Sequence, residues 1–309
     1  MVADRTPGDT ALFTFVIPAH NEEATVAAIV GQARAAAGPG DRILVVDSAS
    51  TDATARRAAE AGAEVLSGPK GKGAAMNAAI DVAGTEWVCF LDADLVSSEL
   101  NVAAELRAAA ASGTAGHVVG DYEYDHPGTI LSSTFTIYEP LTERFFPETG
   151  FMGANALTGY RAVRRSLLTE PLPADFGVES FLNITLALTG ARVQVRHLGV
   201  IGSRFRPTGG AMAREIGTAI LDLAEAHGRL DSGERGAWEA WLEEGVAAIA
   251  PQAADGGRSA TLARLFAAVR RPMPSTPAAR QPRERTTDGR HTPGVLTRTC
   301  PNSIRVHGG

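Results

Sequence analysis

Two acidic residues one position apart, Asp92 and Asp94, close the apolar run Trp87-Val-Cys-Phe-Leu91. A short apolar run ending in a carboxylate reads as a buried parallel strand whose carboxyl end is a site, because ligands of open α/β sheets lie outside those ends. In an extended chain residues i and i+2 share a face, so Asp92 and Asp94 can address one cation or one sugar together. All-oxygen donors of this kind suit hard divalent ions, Mg2+ or Mn2+. The same carboxylates could instead cap a turn or a helix after the strand, so the surrounding elements bear on the choice.

Those elements alternate. Runs rich in β-branched and apolar residues at 12–18, 42–47, 63–66 and 87–91 predict strands, and the stretches between them, up to Ala37, up to Ala61 and over 74–82, predict helices. Gly38-Pro39-Gly40 stops the first helix, and Gly62 is placed to end the second. Strands and helices at this spacing imply right-handed βαβ crossovers and a mostly parallel sheet, so residues 11–120 read as a doubly wound nucleotide-binding half. A helix at 101–111 and a strand at 117–120 follow. From 121 to 176 aromatics and prolines fall at irregular spacing, which suits an acceptor-side subregion. Helices at 180–189, 212–229 and 236–249 and a strand at 191–200 complete a domain expected over 11–250. Residues 1–10 are expected to be loose. Beyond 251 the composition turns to Pro, Ser, Thr, Gly and Arg, with a short helix at 260–269 and a disordered stretch from 272 to 309.

The 309 residues carry a net charge of -6, which argues against a general nucleic-acid surface. No apolar run approaches the roughly 20 residues of a membrane helix, and the N-terminus lacks a basic flank followed by an apolar core. The expected location is cytoplasmic. Two cysteines, Cys89 in the apolar run and Cys300 in the polar tail, leave neither a disulfide framework nor a Cys-ligated zinc site, and Cys89 reads as core.

Several segments together resemble the successive strand-end motifs of the GT-A glycosyltransferases: Val16-Ile-Pro-Ala-His-Asn-Glu-Glu23, Val45-Val-Asp-Ser-Ala-Ser-Thr-Asp52, Gly71-Lys-Gly73 and Phe90-Leu-Asp-Ala-Asp-Leu95. Leu157-Thr-Gly-Tyr160, Asp175-Phe-Gly-Val-Glu179, Leu198-Gly-Val200 and Arg204-Phe-Arg-Pro207 are similar in order and spacing to glucosyl-3-phosphoglycerate synthases. The resemblance spans roughly residues 12–225. It implies a GT-A fold: an α/β, Rossmann-like, mostly parallel sheet with an acceptor-side subregion and C-terminal helices. It also implies roles. Pro18, Ala19 and Glu22 would line the base and ribose pocket with Ser48 beside them, Lys72 would reach the phosphates, and Asp94 would hold the metal with Asp92 on sugar or ribose hydroxyls. Glycines flanking Lys72 would let the backbone approach a phosphate closely. Thr158, Gly159 and Glu179 would serve the acceptor or the reacting sugar carbon. Arg204 and Arg206 could grip diphosphate or an anionic acceptor.

One position departs from the resemblance. Where these synthases carry a metal-binding His just ahead of Arg-x-Arg-Pro, this chain has Ser203. His197, nearby in sequence, reads as part of the preceding strand, in the core or supporting the site from behind. The expected activity is therefore metal-dependent transfer of a sugar from a UDP- or GDP-sugar to a small polar acceptor, with retention implied by the resemblance. Two rivals stand beside it: an inverting enzyme with Glu179 as general base, and a sugar-nucleotide-binding protein without turnover. Nucleotidyltransferases share part of the architecture, but Pro-Ala-His-Asn-Glu stands where their Gly-rich, Arg-containing turn would be. The apolar C-terminal helices could serve as a homodimer surface.

Overall fold

In the computed structural model the alternation yields β1 (Phe13–Ala19), α1 (Val26–Ala36), β2 (Arg42–Ser48), α2 (Thr54–Glu60), β3 (Glu64–Gly68), α3 (Lys72–Val82) and β4 (Trp87–Phe90). There follow β5 (Leu95–Ser98), α4 (Val102–Ala111), β6 (His117–Tyr124), α5 (Glu139–Phe145), β7 (Arg161–Arg164), α6 (Val178–Leu188) and β8 (Val193–Ser203). The last helices are α7 (Ala211–Ala226), α8 (Arg235–Ile249) and α9 (Arg258–Val269). The structure describes residues 12–125, 133–150, 152–204, 210–249 and 258–274. The loose N-terminus expected over 1–10 and, of the disorder expected over 272–309, residues 275–309 lie outside them. Among the described residues no helix is long and apolar enough to cross a membrane.

The strands form one sheet in the order β3-β2-β1-β4-β7-β6-β8-β5. β3, β2, β1 and β4 are mutually parallel, which is the doubly wound half read from the alternation. β1 is buried on both faces: Phe13, Phe15 and Ile17 pack in the layer containing α1 and α4, and Val16 packs in the layer containing α3 and α6. That double burial is why its sequence is a continuous apolar run and not an alternating one. β1 also continues past Pro18. Its ladder with β4 ends at Val16↔Phe90, while β2 pairs through Ala19↔Asp47, so the missing N–H of Pro18 falls where no ladder bond remains.

Beyond β4 the sheet becomes mixed. β7 is antiparallel to β4 and β6, β8 is parallel to β6, and β5 is antiparallel to β8. Neither β5 nor β7 was expected. Each has four residues, and β7 opens with Arg161, a charge that argues locally against a buried strand. The region 121–176, expected to form an acceptor-side subregion, thus also contributes strands to the sheet. α9, the short helix expected over 260–269, buries Leu265 in the core cluster shared with α7 and α8, and the compact unit runs on to Pro274. The domain boundary therefore lies beyond the expected residue 250. Arg271 ties it down, stacked on Trp241 and donating to the carbonyls of Trp241 and Thr136.

The expectation for His197 needs correcting. It is exposed, because β5 pairs with β8 only from Ile201 onward and leaves the preceding stretch of β8 open to solvent. The histidine that is in the core is His117, fully buried on β6 with neither ring nitrogen hydrogen-bonded. Burial, reinforced by the nearby Arg161 charge, holds its pKa well below 6.5. The folded protein thus keeps His117 neutral at pH values where the unfolded chain binds a proton. Its contribution to stability is full above pH 6.5 and declines below it, with a limiting slope of about 1.4 kcal/mol per pH unit. The expected result is a melting temperature that falls with acidification below pH 6.5 more steeply in the wild type than in His117→Leu, measured by calorimetry. Parallel profiles would refute this.

Candidate active site

β4 delivers Asp92 and Asp94 to the carboxyl edge of the sheet, as its apolar sequence predicted. What the structure adds is their company. Lys72, at the start of α3, places Nζ 2.7 Å from Asp92 Oδ1 and 2.6 Å from Glu179 Oε1 in the first turn of α6. Burial opposes the lysine's charge, but the Asp92 and Glu179 carboxylates outweigh it and hold the pKa above the usual lysine value. Asp94 is in the opposite situation. Burial, then the Asp92 charge, push its pKa up to about 7, with Lys72 acting the other way. The edge is therefore rich in carboxylates, two of which, Asp92 and Glu179, engage the ammonium group of Lys72.

The glycines flanking Lys72, expected to let the backbone approach a phosphate, also make room for another segment of the chain. Gly71 takes φ +124°, and a Cβ on Gly71 or Gly73 would collide with the carbonyls of Ala174 and Pro173. Ala74 N donates to Ala174 O at 3.0 Å. Their lack of side chains admits the backbone of the loop that leads to Glu179, and this brings Lys72 and Glu179 together. Gly159 acts similarly, since a Cβ there would strike the Asp92 carboxylate.

Of the residues expected to line the base and ribose pocket, Pro18 and Ala19 end β1 and Ser48 ends β2. Glu22 is buried, accepts from Thr25 Oγ1 at 2.9 Å and faces Arg204 Nη1 at 3.5 Å. Arg204 is fastened beside Asp94 by its own N–H, which donates to Asp94 O at 3.0 Å. Arg206 lies outside the described residues. Asp47 Oδ1 and Ser48 Oγ are buried with no protein partner. Ala49, between Ser48 and Ser50, adopts φ +55°, a left-handed conformation that a side chain disfavours. Ala49→Gly is expected to stabilise the protein by about 1 kcal/mol, read as a raised melting temperature; an unchanged or lowered one would refute it.

Thr158 and Gly159, expected to serve the acceptor, are both buried, and the Thr158 hydroxyl accepts from Tyr160 N at 3.0 Å. The Thr158 carbonyl accepts from Arg161, whose guanidinium also donates to Asn183 Oδ1 at 3.0 Å. Asn183 in turn donates to Tyr138 Oη and to Ala156 O. Arg161 thus braces the 156–159 turn from beneath, fully buried and, among the described residues, without an ion pair. Sequence reasoning missed this residue, and also Tyr122, Tyr124 and Tyr160. The i, i+2 spacing of Tyr122 and Tyr124 was a legible sign that both share one face of a strand. Their hydroxyls are 3.1 Å apart, and the Tyr122 ring meets Tyr160 edge-on.

A family model described as Glycosyl transferase family 2 matches residues 14–170, from β1 through the elements that carry Asp92, Asp94 and Lys72. The chain belongs to this family. It is 31% identical over 246 residues to the glucosyl-3-phosphoglycerate synthase of Mycobacterium tuberculosis, covering 71% of this chain and 74% of that protein. Among solved structures, the mannosyl-3-phosphoglycerate synthase of Rubrobacter xylanophilus superposes with a TM-score of 0.65 at 28% identity, covering 72% and 76% of the two chains. The M. tuberculosis glucosyl-3-phosphoglycerate synthase, in complex with Mn2+, UDP-glucose and phosphoglyceric acid, gives a TM-score of 0.62 at 29% identity, over 74% of this chain and 88% of that one. The GT-A fold and glycosyltransferase class expected from the strand-end motifs are those of this family 2 chain.

The family 2 site also suits a divalent cation by its own chemistry. Asp92, Asp94 and Ser203 offer oxygen atoms, the donor type of Mg2+ and Mn2+. Asp94's raised pKa marks a carboxylate that a nearby cation would stabilise in its charged form. Among the described residues no three His, Cys, Asp or Glu side chains converge as a metal site. The protein would supply a minority of the shell, with the rest left to substrate oxygens and water, a common arrangement for Mg2+.

Proposed function

We propose that this chain transfers a hexose from a UDP-sugar to a small hydroxy acid of the phosphoglycerate type, with retention of anomeric configuration, using Mg2+ or Mn2+ held by Asp94. The observation that carries the reading is the convergence of Asp92, Asp94, Lys72 and Glu179 at the end of β4. The relatives that bind UDP-glucose and phosphoglyceric acid support the substrate classes. Bound there, the cation supplies Lewis-acid stabilisation of the departing diphosphate.

The remaining work falls to side chains. Pro18, Ala19, Glu22 and Ser48 take the base and ribose, and the unpartnered oxygens of Asp47 and Ser48 suit nucleoside N–H and hydroxyl donors. Asp92, oriented by Lys72 and by the absence of a side chain at Gly159, accepts from sugar or ribose hydroxyls. Arg204 and Arg206 provide guanidinium groups for diphosphate or an acidic acceptor. The Thr158–Gly159 turn forms the floor, and Glu179 stabilises positive charge at the sugar carbon while orienting the acceptor.

The ion pair also bears on stereochemistry. Glu179 Oε1 is engaged by the Lys72 ammonium group at 2.6 Å, an arrangement that suits a carboxylate acting by its position and charge, as in the retaining reading, more than one that must reach for an acceptor proton. The test is incubation with Mn2+, a UDP- or GDP-sugar and 3-phosphoglycerate or a related hydroxy acid, with the product's anomeric coupling read by proton NMR. An α-glycoside from UDP-glucose is expected. A β-glycoside would overturn retention, and sugar-nucleotide binding without transfer to any such acid would favour the non-catalytic alternative.

A further inference from the structure

Tyr160 is fully buried and held from several directions. Its carbonyl accepts from Gly120 N at 2.8 Å, its N–H donates to Thr158 Oγ1 at 3.0 Å, and its ring packs edge-on against Tyr122 at 5.7 Å. The hydroxyl at the end of this rigid mount has no partner of hydrogen-bonding geometry. A buried hydroxyl left unpartnered is costly and calls for an explanation.

Its surroundings provide one. Burial first, then the Asp92 and Asp94 carboxylates, raise the phenol's pKa well above its usual value, while the Ser203 hydroxyl lies close enough to act in the other direction. The geometry agrees: Gly159, the residue before Tyr160, abuts the Asp92 carboxylate, which a Cβ there would strike. Ser203 is on the same side, for it pairs in register with Leu95, and the next residue's N–H bonds to Asp94 O. Lys72 engages Asp92, so Asp94 is the carboxylate left for a cation. An ion held largely by substrate and water needs protein groups that orient its waters, and such outer partners tune affinity strongly.

We propose that Tyr160, with Ser203, is a positioning residue of the cation site: its hydroxyl oxygen accepts a hydrogen bond from a water in the shell of the divalent ion held by Asp94. The inference rests on the metal-dependent reading of the site. Both hydroxyls are hard, neutral oxygens and add no charge, so they anchor hydration without trapping the ion, which suits a cation that must arrive and leave with its nucleotide. The Tyr160 proton remains available to Ser203 or to a carboxylate oxygen.

The test is titration of Mn2+ into the full-length protein with saturating UDP, following free Mn2+ by its electron paramagnetic resonance signal. Tyr160→Phe, which keeps the ring, is expected to raise the Mn2+ Kd about tenfold or more, with melting temperature equal or higher and UDP affinity without metal unchanged. Ser203→Ala, at a strand end, is expected to weaken Mn2+ several-fold and carries the test should Tyr160→Phe fail to fold. Wild-type Mn2+ affinity in the folded variants would overturn the role of these hydroxyls while leaving the glycosyltransferase reading standing. Failure of the wild type itself to bind Mn2+ with UDP or GDP would remove the metal-dependent reading, and this inference with it.

Discussion

Asp94→Asn is expected to give a folded protein whose transfer rate is lower by at least about 10²–10³-fold, the scale seen when one group that stabilises developing charge is lost. The substitution keeps the side chain's shape and removes the charge that would hold the cation. The same change should raise the melting temperature. In the free protein Asp94 is partly buried beside Asp92, and its pKa of about 7 records how unfavourable its negative charge is there. Loss of activity with gain of stability is the signature of a residue kept for function against its own folding interest. Initial rates and a thermal melt on one preparation decide the matter. Near-normal turnover would remove Asp94 from the mechanism, and a lowered melting temperature would contradict the electrostatic account.

Lys72→Met is expected to lose on both counts. Asp92 and Glu179 each rely on the same ammonium group, at 2.7 and 2.6 Å, and Glu179 is nearly inaccessible to solvent. Removing one partner of such a cluster leaves like charges facing each other across a poorly solvated space. For a fully buried pair the cost is about 3–5 kcal/mol, and the low end applies here because Lys72 and Asp92 retain some exposure. That should lower the melting temperature by several degrees and displace both carboxylates, abolishing transfer. Adding Glu179→Gln in the same chain is expected to recover part of the stability and none of the activity, since it removes one stranded charge but not the need for a positioned Asp92. A single variant Lys72→Met as stable as the wild type would show that the triad is not electrostatically coupled as described.

Much of the site was legible in the chain, for reasons that differ from residue to residue. Asp92 and Asp94 could be found because an apolar run ending in acids spaced i, i+2 is a local pattern, and Lys72 only because Gly71-Lys-Gly73 resembles a GT-A motif. Glu179 could be placed in the first turn of a helix, but a helix-start acid and a lysine's buried partner look alike in sequence. The burial of Thr158 and Gly159 was not legible, because it depends on Arg161 reaching back under the turn and on Asp92 arriving from another strand. β7 escaped for a related reason: Arg161 is acceptable inside the sheet only because carbonyls of its own turn and Asn183 take up its donors.

The sequence by itself determined the doubly wound half and the edge at which chemistry gathers, since hydrophobic period, glycine and proline punctuation and strand-end acids are properties of neighbouring residues. Only the tertiary structure decided what each group does there. It turned the glycines around Lys72 into a docking seat for the loop before α6, exposed His197, and buried the Tyr160 hydroxyl without a hydrogen-bond partner. The physical reason is that the partner of a charge or a buried hydroxyl is chosen by packing between segments far apart in the chain, and no local pattern records that choice.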